Sequence, residues 1–436
     1  MFLGKRFVAS TAVVGLFVSL GLSGCGDGDA ADLVEESPET TDPTSASPSP
    51  TPSPQKPVRL AWYTAPSNGS HNSVQSAVVQ ECVKASQGRY SIEVNQLPAD
   101  YNEQQARLET ALAAGGLIDL MSVDVSLLGR FVDRRQLAAL PATDQRRLRE
   151  TVLGGPLAAN TVYGDVVAFP MYANTQLLWY RKSAAKRAKL DLARPVTWDR
   201  LIAAAEAAKT SVQVQARRYE GYVVWLNALI AGAGGDVRRP DSRAGRVAAR
   251  VIRQLATSRA GDPKLNKTTE LETQRRFLAG RAGFMLNWPY VWSLTGQRWK
   301  HGDLGWAMYP RTEPDRPAAP PIGGVSVAVP ASSTHQELAL EAARCLTSPE
   351  HQARLVTESG GFLAPTASVY NDPKVRRAYP MADLLRESLQ RGVPRPVVGG
   401  YQDISRALLK TFWPPDRVDP ATTPKQAQRA IDAALP

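Results

Sequence analysis

The chain has 436 residues, of which 43% are hydrophobic, 21% charged and 7% aromatic, with 33 Pro and only 3 Cys. That length accommodates two or three domains of roughly 100–200 residues, and the composition excludes a disulfide miniprotein, a collagenous chain and a wholly disordered one. The formal charge of +11 becomes +15 over residues 57–436 once Lys5, Arg6, Lys56 and the seven acids of residues 25–56 are set aside.

The N-terminal segment carries Lys5 and Arg6, then an apolar run from Phe7 to Leu22 with no acid before Asp27. This pattern is that of a secretory signal, too short and too small-residue-rich at its end for a comfortable membrane span. It closes on Leu22-Ser23-Gly24-Cys25, which resembles the bacterial lipobox, so Cys25 is the expected lipidation site and residues 1–24 the signal peptide. Two or three acyl chains, as the resemblance implies, would anchor the chain stably where one holds only marginally. Residues 25–56 follow with an acidic start and a Pro/Ser/Thr repeat from Pro38 onward. Such a stretch buries no core and favours extended polyproline, a tether of at most roughly 100 Å.

Beyond the tether, apolar runs at Val58–Tyr63, Ile92–Leu97, Ile118–Val123, Thr175–Tyr180, Gly283–Trp288 and Val325–Val329 predict strands. Helical periodicity predicts helices over 73–86, 102–114, 198–209, 244–256, 336–347, 349–358, 381–390 and 404–411, with Thr197 placed to cap the helix opened by Trp198. The alternation is that of an α/β protein, in which ligands gather at the loops beyond the strand ends. Cys82 and Cys345 are the remaining cysteines, and outside the cytoplasm two such residues suggest one disulfide. Metal ligation is the weaker option, because neither stands in a Cys-x-x-Cys pair.

Catalytic signatures are scarce. The four His (His71, His301, His335, His351) have no metal-ligand spacing, and no phosphate loop, dinucleotide fingerprint or nucleophile elbow occurs. A glycosidase needs only two carboxylates, so a secreted carbohydrate-active hydrolase stays open, as does a wall-binding lipoprotein. Nucleic-acid binding would need Lys/Arg gathered on one face with stacking aromatics, whereas Arg is scattered over most predicted helices. The sequence therefore predicts no nucleic-acid partner, no metal and no cofactor, and leaves adhesion to anionic lipid or wall polymer open.

The segments Gly164-Asp165-Val166-Val167-Ala168-Phe169-Pro170, Leu177-Leu178-Trp179-Tyr180, Pro195-Val196-Thr197-Trp198-Asp199, Phe277-Leu278-Ala279-Gly280-Arg281-Ala282-Gly283, Asn287-Trp288-Pro289, Gly323-Gly324-Val325 and Thr347-Ser348-Pro349-Glu350 are collinear with, and similar to, the extracellular solute-binding proteins of sugar ABC importers. The resemblance extends over nearly all of residues 58–436 and is nearest to the trehalose-binding lipoproteins of that family. It implies an α/β, two-lobe, periplasmic-binding-protein-like fold (type II, maltose-binding-protein-like) with a hinge and a sugar cleft between the lobes. Residues 57–170 with 322–363 would form lobe one, and 171–321 with 364–436 lobe two. The implied partners are a sugar (trehalose or a related disaccharide), permease subunits with a cytoplasmic ATPase, and the membrane through the lipid anchor. A monomer is expected, on the outer face of the cell membrane, with no enzymatic activity.

Sugar recognition needs polar side chains for hydroxyls and aromatic faces for the apolar sides of the rings. By position, the resemblance implies that Asp124, Asn174, Gln104 and Glu270 hydrogen-bond the sugar and that Trp288 stacks on one ring. The backbone of Gly324 would approach the other ring, Arg395 would donate from the second lobe and Phe362 would add an apolar wall. Asn68 stands where trehalose-binding relatives have Asp, which keeps hydrogen bonding but removes a charge. Tyr63, Trp179, Trp225 and Trp292 are expected to pack in the core.

Overall fold

The structure is a computed structural model that describes residues 56–65, 70–98, 101–114, 118–295, 299 and 302–435. The signal peptide, Cys25, the tether up to residue 55 and Asn68 lie outside the described residues. No helix among the described residues is long and apolar enough to cross a membrane.

Twelve strands are described: β1 (Val58–Thr64), β2 (Tyr90–Gln96), β3 (Leu120–Asp124), β4 (Thr161–Val162), β5 (Asp165–Val166), β6 (Phe169–Thr175), β7 (Leu177–Arg181), β8 (Val212–Gln213), β9 (Phe284–Asn287), β10 (Leu304–Ala307), β11 (Pro321–Ala328) and β12 (Val393–Pro394). β1 pairs in parallel with both β2 and β3, and parallel neighbours require crossovers, here the helices Ser70–Ala85 and Tyr101–Ala113. β11 runs antiparallel to β3 and β6 and carries β12 at its start, completing a six-stranded mixed sheet. The β6–β11 register shifts between Val325 and Ser326, which face Tyr172 and Pro170. A bulge suits this place, because Pro170 has no N–H for the ladder.

The second sheet has the order β10-β7-β9-β8. Its core gathers large aromatics: Trp198 packs on Trp225 at 5.7 Å, Tyr222 meets Trp225 at 5.9 Å, and Trp198 meets Tyr309 at 6.1 Å between ring centroids. The expected core residues Trp179, Trp225 and Trp292 are buried, whereas Tyr63 is partly exposed.

Only Gln176 separates β6 in the first sheet from β7 in the second. The chain crosses back through residues 308–320 into β11, and again after β12 to the helix Tyr401–Thr411, which packs against the helix Glu220–Gly232. The expected lobe boundary at 170/171 therefore falls inside β6. The helix Ala382–Arg391 packs on the helix Gly154–Ala159 and on β6, so the last crossing lies near residue 395, later in the chain than the expected boundary at 363.

Cys82, on the helix Ser70–Ala85, is bonded to Cys345 on the helix Gln336–Leu346, with 5.7 Å between their Cα atoms. The anticipated bridge is thus formed across 263 residues, and it removes both sulfurs from metal ligation although His351 stands beside them.

Candidate functional site

Because β1, β3 and β6 all run the same way, their C-terminal ends come out on one edge of the first sheet. Across the crossing, Asn287 at the end of β9 faces Leu177 at the start of β7, so residues 287 and 288 arrive at the same edge from the second sheet.

At this junction Asn174 is paired in register with Gly323. With its amide oriented to suit its neighbours, Asn174 donates to the Gly361 and Ala173 carbonyls at 3.1 Å each. The half-buried Trp288 ring lies over the bare backbone of Gly323, where an added Cβ would stand 3.7 Å from it. Phe362 packs on Tyr172 with centroids 4.3 Å apart. Burial and the nearby Asp124 charge push the Tyr172 phenol well above its ordinary range, so it stays a neutral donor. Gly324 has φ +149°, and a Cβ there would meet the Tyr172 carbonyl oxygen at 2.4 Å. A glycine here lets β6 and β11 approach closely.

The second cluster centres on Arg395, whose side chain is 8% exposed. It donates from Nη2 to Asp124 Oδ1 at 3.2 Å and from Nη1 to Glu220 Oε1 at 2.9 Å, and its guanidinium stands 5.8 Å from the centre of the Tyr401 ring. Tyr401 Oη and Ser405 Oγ, the latter at 2.7 Å, also donate to Glu220. Asp124 Oδ1 further accepts from the backbone N and the Oγ of Ser126, at 2.9 and 2.6 Å, while Oδ2 accepts nothing from the described residues. Arg395 was expected to reach the ligand from the second lobe. In the structure it ties a strand end of the first sheet to a helix N-terminus of the second, while Oδ2 of Asp124 keeps its capacity for a hydroxyl.

Glu270 opens the helix Glu270–Leu278 and accepts from Tyr219 Oη at 2.7 Å, while its carbonyl accepts from Asn287 Nδ2 at 3.0 Å. Burial, the Glu270 charge and that hydrogen bond push the Tyr219 phenol far up. Glu270 is thus linked through Asn287 to the base of Trp288, whose N–H donates to Asn287 Oδ1 at 2.8 Å. Gln104 is half-buried on the helix Tyr101–Ala113, but the contact from that helix to the helix Tyr401–Thr411 is made by its neighbour Gln105, which accepts from Gln402.

Glu220, Tyr401, Tyr172 and Tyr219 escape the sequence reading. Glu220 begins a helix so uniformly apolar that it has no amphipathic stripe, and only its position as a first-turn acid marks it. The assembled groups are aromatic faces, an amide and a carboxylate oxygen at a cleft edge, suited to holding a polyhydroxylated molecule rather than to transferring a proton.

The family described as "Bacterial extracellular solute-binding protein" matches residues 77–382. A "Probable ABC transporter-binding protein" of Deinococcus radiodurans is 25% identical over 279 residues, covering 58% of this chain and 65% of that relative, so the chain spans slightly less than two thirds of that protein's length. Among solved structures, maltose-bound MalE3 of T. maritima aligns with 87% of this chain and 100% of its own, at a TM-score of 0.72 and 24% identity. The sugar-binding protein MalE of Xanthomonas citri aligns with 86% of this chain and 97% of its own, at a TM-score of 0.75 and 19% identity. These likenesses make the architecture the two-lobe, maltose-binding-protein-like fold. With its match running through both sheets, the chain belongs to the bacterial extracellular solute-binding protein family.

Proposed function

We propose that this protein is the lipid-anchored receptor of a sugar ABC importer, which captures trehalose or a related disaccharide between its two lobes and presents it to permease subunits driven by a cytoplasmic ATPase. The observation that carries this reading is the convergence of Trp288, Asn174 and the Tyr172–Phe362 pair on strands that pass from one sheet to the other. A ligand held there touches both lobes, so binding favours the closed arrangement and links occupancy to shape.

Trp288 supplies the stacking face, Asp124 Oδ2 accepts a hydroxyl, and Asn174, Gln104 and Glu270 complete the polar set, with Asn68 on the rim. Phe362 walls the apolar side, and Gly324 and Arg395 act through the protein by allowing strand contact and by fixing Asp124. No bond is broken. Anchoring at Cys25 would keep the receptor near its permease and raise their effective concentration.

Calorimetry of the purified mature chain against trehalose, maltose, glucose and a buffer blank tests the reading. Micromolar binding of trehalose, recovered intact, is the expected result. Binding of maltose alone keeps the receptor and replaces the sugar, whereas no binding of any sugar, or its cleavage, overturns the proposal. Trp288→Ala is expected to weaken binding by about 2 kcal/mol, the scale of a hot-spot truncation.

A further inference from the structure

The second sheet's region carries two adjoining cavities away from the crossing strands. One, of about 690 Å³, is lined by Lys209, Arg259, Arg276 and Arg281 together with Asp262 and Asp416. The other, of about 470 Å³, is lined by Arg217, Arg218, Lys267 and Trp413, and the two share Asn266.

The charges there do not cancel. Asp262 is consumed by Arg276, which donates to both its oxygens at 3.0 and 2.8 Å. Arg217 lies close enough to Glu272 to help hold that carboxyl below its usual range, after the larger effect of the Thr269 hydroxyl. Lys209, Arg218, Arg259, Lys267 and Arg281, all exposed, have no carboxylate within 4.0 Å among the described residues. Arg218 stands over Trp413 at 5.9 Å, and Asp416 is the remaining acid of the larger cavity. Elsewhere the exposed arginines Arg59, Arg89 and Arg376 each have a carboxylate partner.

We propose that this face, formed by residues 209–218, 259–267, 276–281 and 413–416, is a second binding site, for a polymer carrying repeating anionic groups. Two cation-lined recesses side by side accept successive charges of one chain, where a single small anion would fill one recess. Both recesses are shallow and open, so several anionic groups of one chain can reach their cations at once, and arginine presents a planar fork of donors to phosphate or carboxylate. Binding releases condensed counterions and so weakens steeply with salt. The site would hold the receptor to its surroundings without occupying the sugar cleft.

The test uses the full mature chain with poly(glycerol phosphate), polygalacturonate, neutral dextran and phosphatidylglycerol vesicles, each at 50 and 200 mM salt, concentrations chosen because counterion release is read from the salt slope. One or both anionic polymers are expected to bind, the pair distinguishing phosphate from carboxylate, with roughly 20-fold loss between the two salt levels for about three neutralised charges. Lys209→Gln/Arg259→Gln/Arg281→Gln is expected to lose at least about tenfold in affinity while keeping its affinity for the cleft's sugar. A control on the other side of the crossing, Lys374→Gln/Arg377→Gln/Arg386→Gln, is expected to bind the polymer as the parent does. Equal polymer binding by the triple variant, no polymer binding at 50 mM salt, or binding to vesicles alone would overturn the proposal.

Discussion

The two sheets are assembled in opposite ways. The first recruits strands from four separate stretches of chain, β1 to β3, β6, β11 and β12, and has a disulfide joining helices 263 residues apart. The second takes all its strands from one excursion between residues 177 and 307, packs them around interlocking aromatics, and is closed by helices from the C-terminus. One region meets the entropy of long-range closure with a covalent tie, the other with dense apolar contact between neighbours in sequence.

Cutting the tie is the strongest test of that contrast. Cys82→Ser/Cys345→Ser is expected to cost up to about 5 kcal/mol in denaturant unfolding, since the bridge limits the freedom of a very long loop in the unfolded chain. A loss below about 1 kcal/mol would mean that packing alone closes the first region, and would erase the distinction. Next comes Trp225→Ala, which empties the middle of the aromatic cluster of the second region and should cost about 4 kcal/mol, with little effect if the disulfide is then reduced in the same variant beyond the sum of the two. Strong non-additivity would show that the regions do not hold themselves up separately.

Arg395→Ala addresses their junction. It removes the cation between Asp124 and Glu220, whose side chains are 26% and 32% exposed, so solvent limits the expected loss to about 2 kcal/mol, and thermal melts should show it. If Arg395 served mainly the ligand, sugar affinity would fall with stability unchanged. The smallest effect concerns acid. Burial raises the Glu109 carboxyl, but hydrogen bonds from Gln105 and Arg130 and the charges of Arg130 and Arg134 outweigh it and hold the group below its usual range. Its stabilisation is therefore present above pH 4.5 and lost as pH falls toward the depressed value. Glu109→Gln should flatten that limb of a stability–pH curve by less than about 1 kcal/mol, since water still screens a side chain that is 26% exposed.

Much of the first region was legible in the sequence because its strands are apolar runs flanked by amphipathic helices, as at Val58–Thr64 and Ser70–Ala85. β6 was hidden by Pro170 and Asn174, residues that normally interrupt strands, and a bulge at the Pro reconciles them with the ladder. The helix Glu220–Gly232 was hidden for the contrary reason, as nearly every side chain is buried and no periodic contrast survives. At the crossing, Trp288 lies over Gly323, the strand partner of Asn174, since both residues sit at strand ends that the topology must bring there. The pairing of Arg395 with two carboxylates could not be foreseen, because it joins residues 271 and 175 positions apart with no local signature.

The passage from β6 to β7 through Gln176 has a mechanical side. Gln176 is buried and its amide donates to Gln215 at 3.0 Å, while Gln215 donates to the Leu286 carbonyl at 2.8 Å, so the single linking residue is gripped by the second sheet. With two further crossings running beside it, the halves resemble leaves on a shared pin. Shear along the pin would have to stretch three backbones at once, whereas a swing about it asks only for small torsions in a few residues. The easy coordinate of the molecule is thus a rotation, and it sweeps the cleft mouth much farther than it moves the floor.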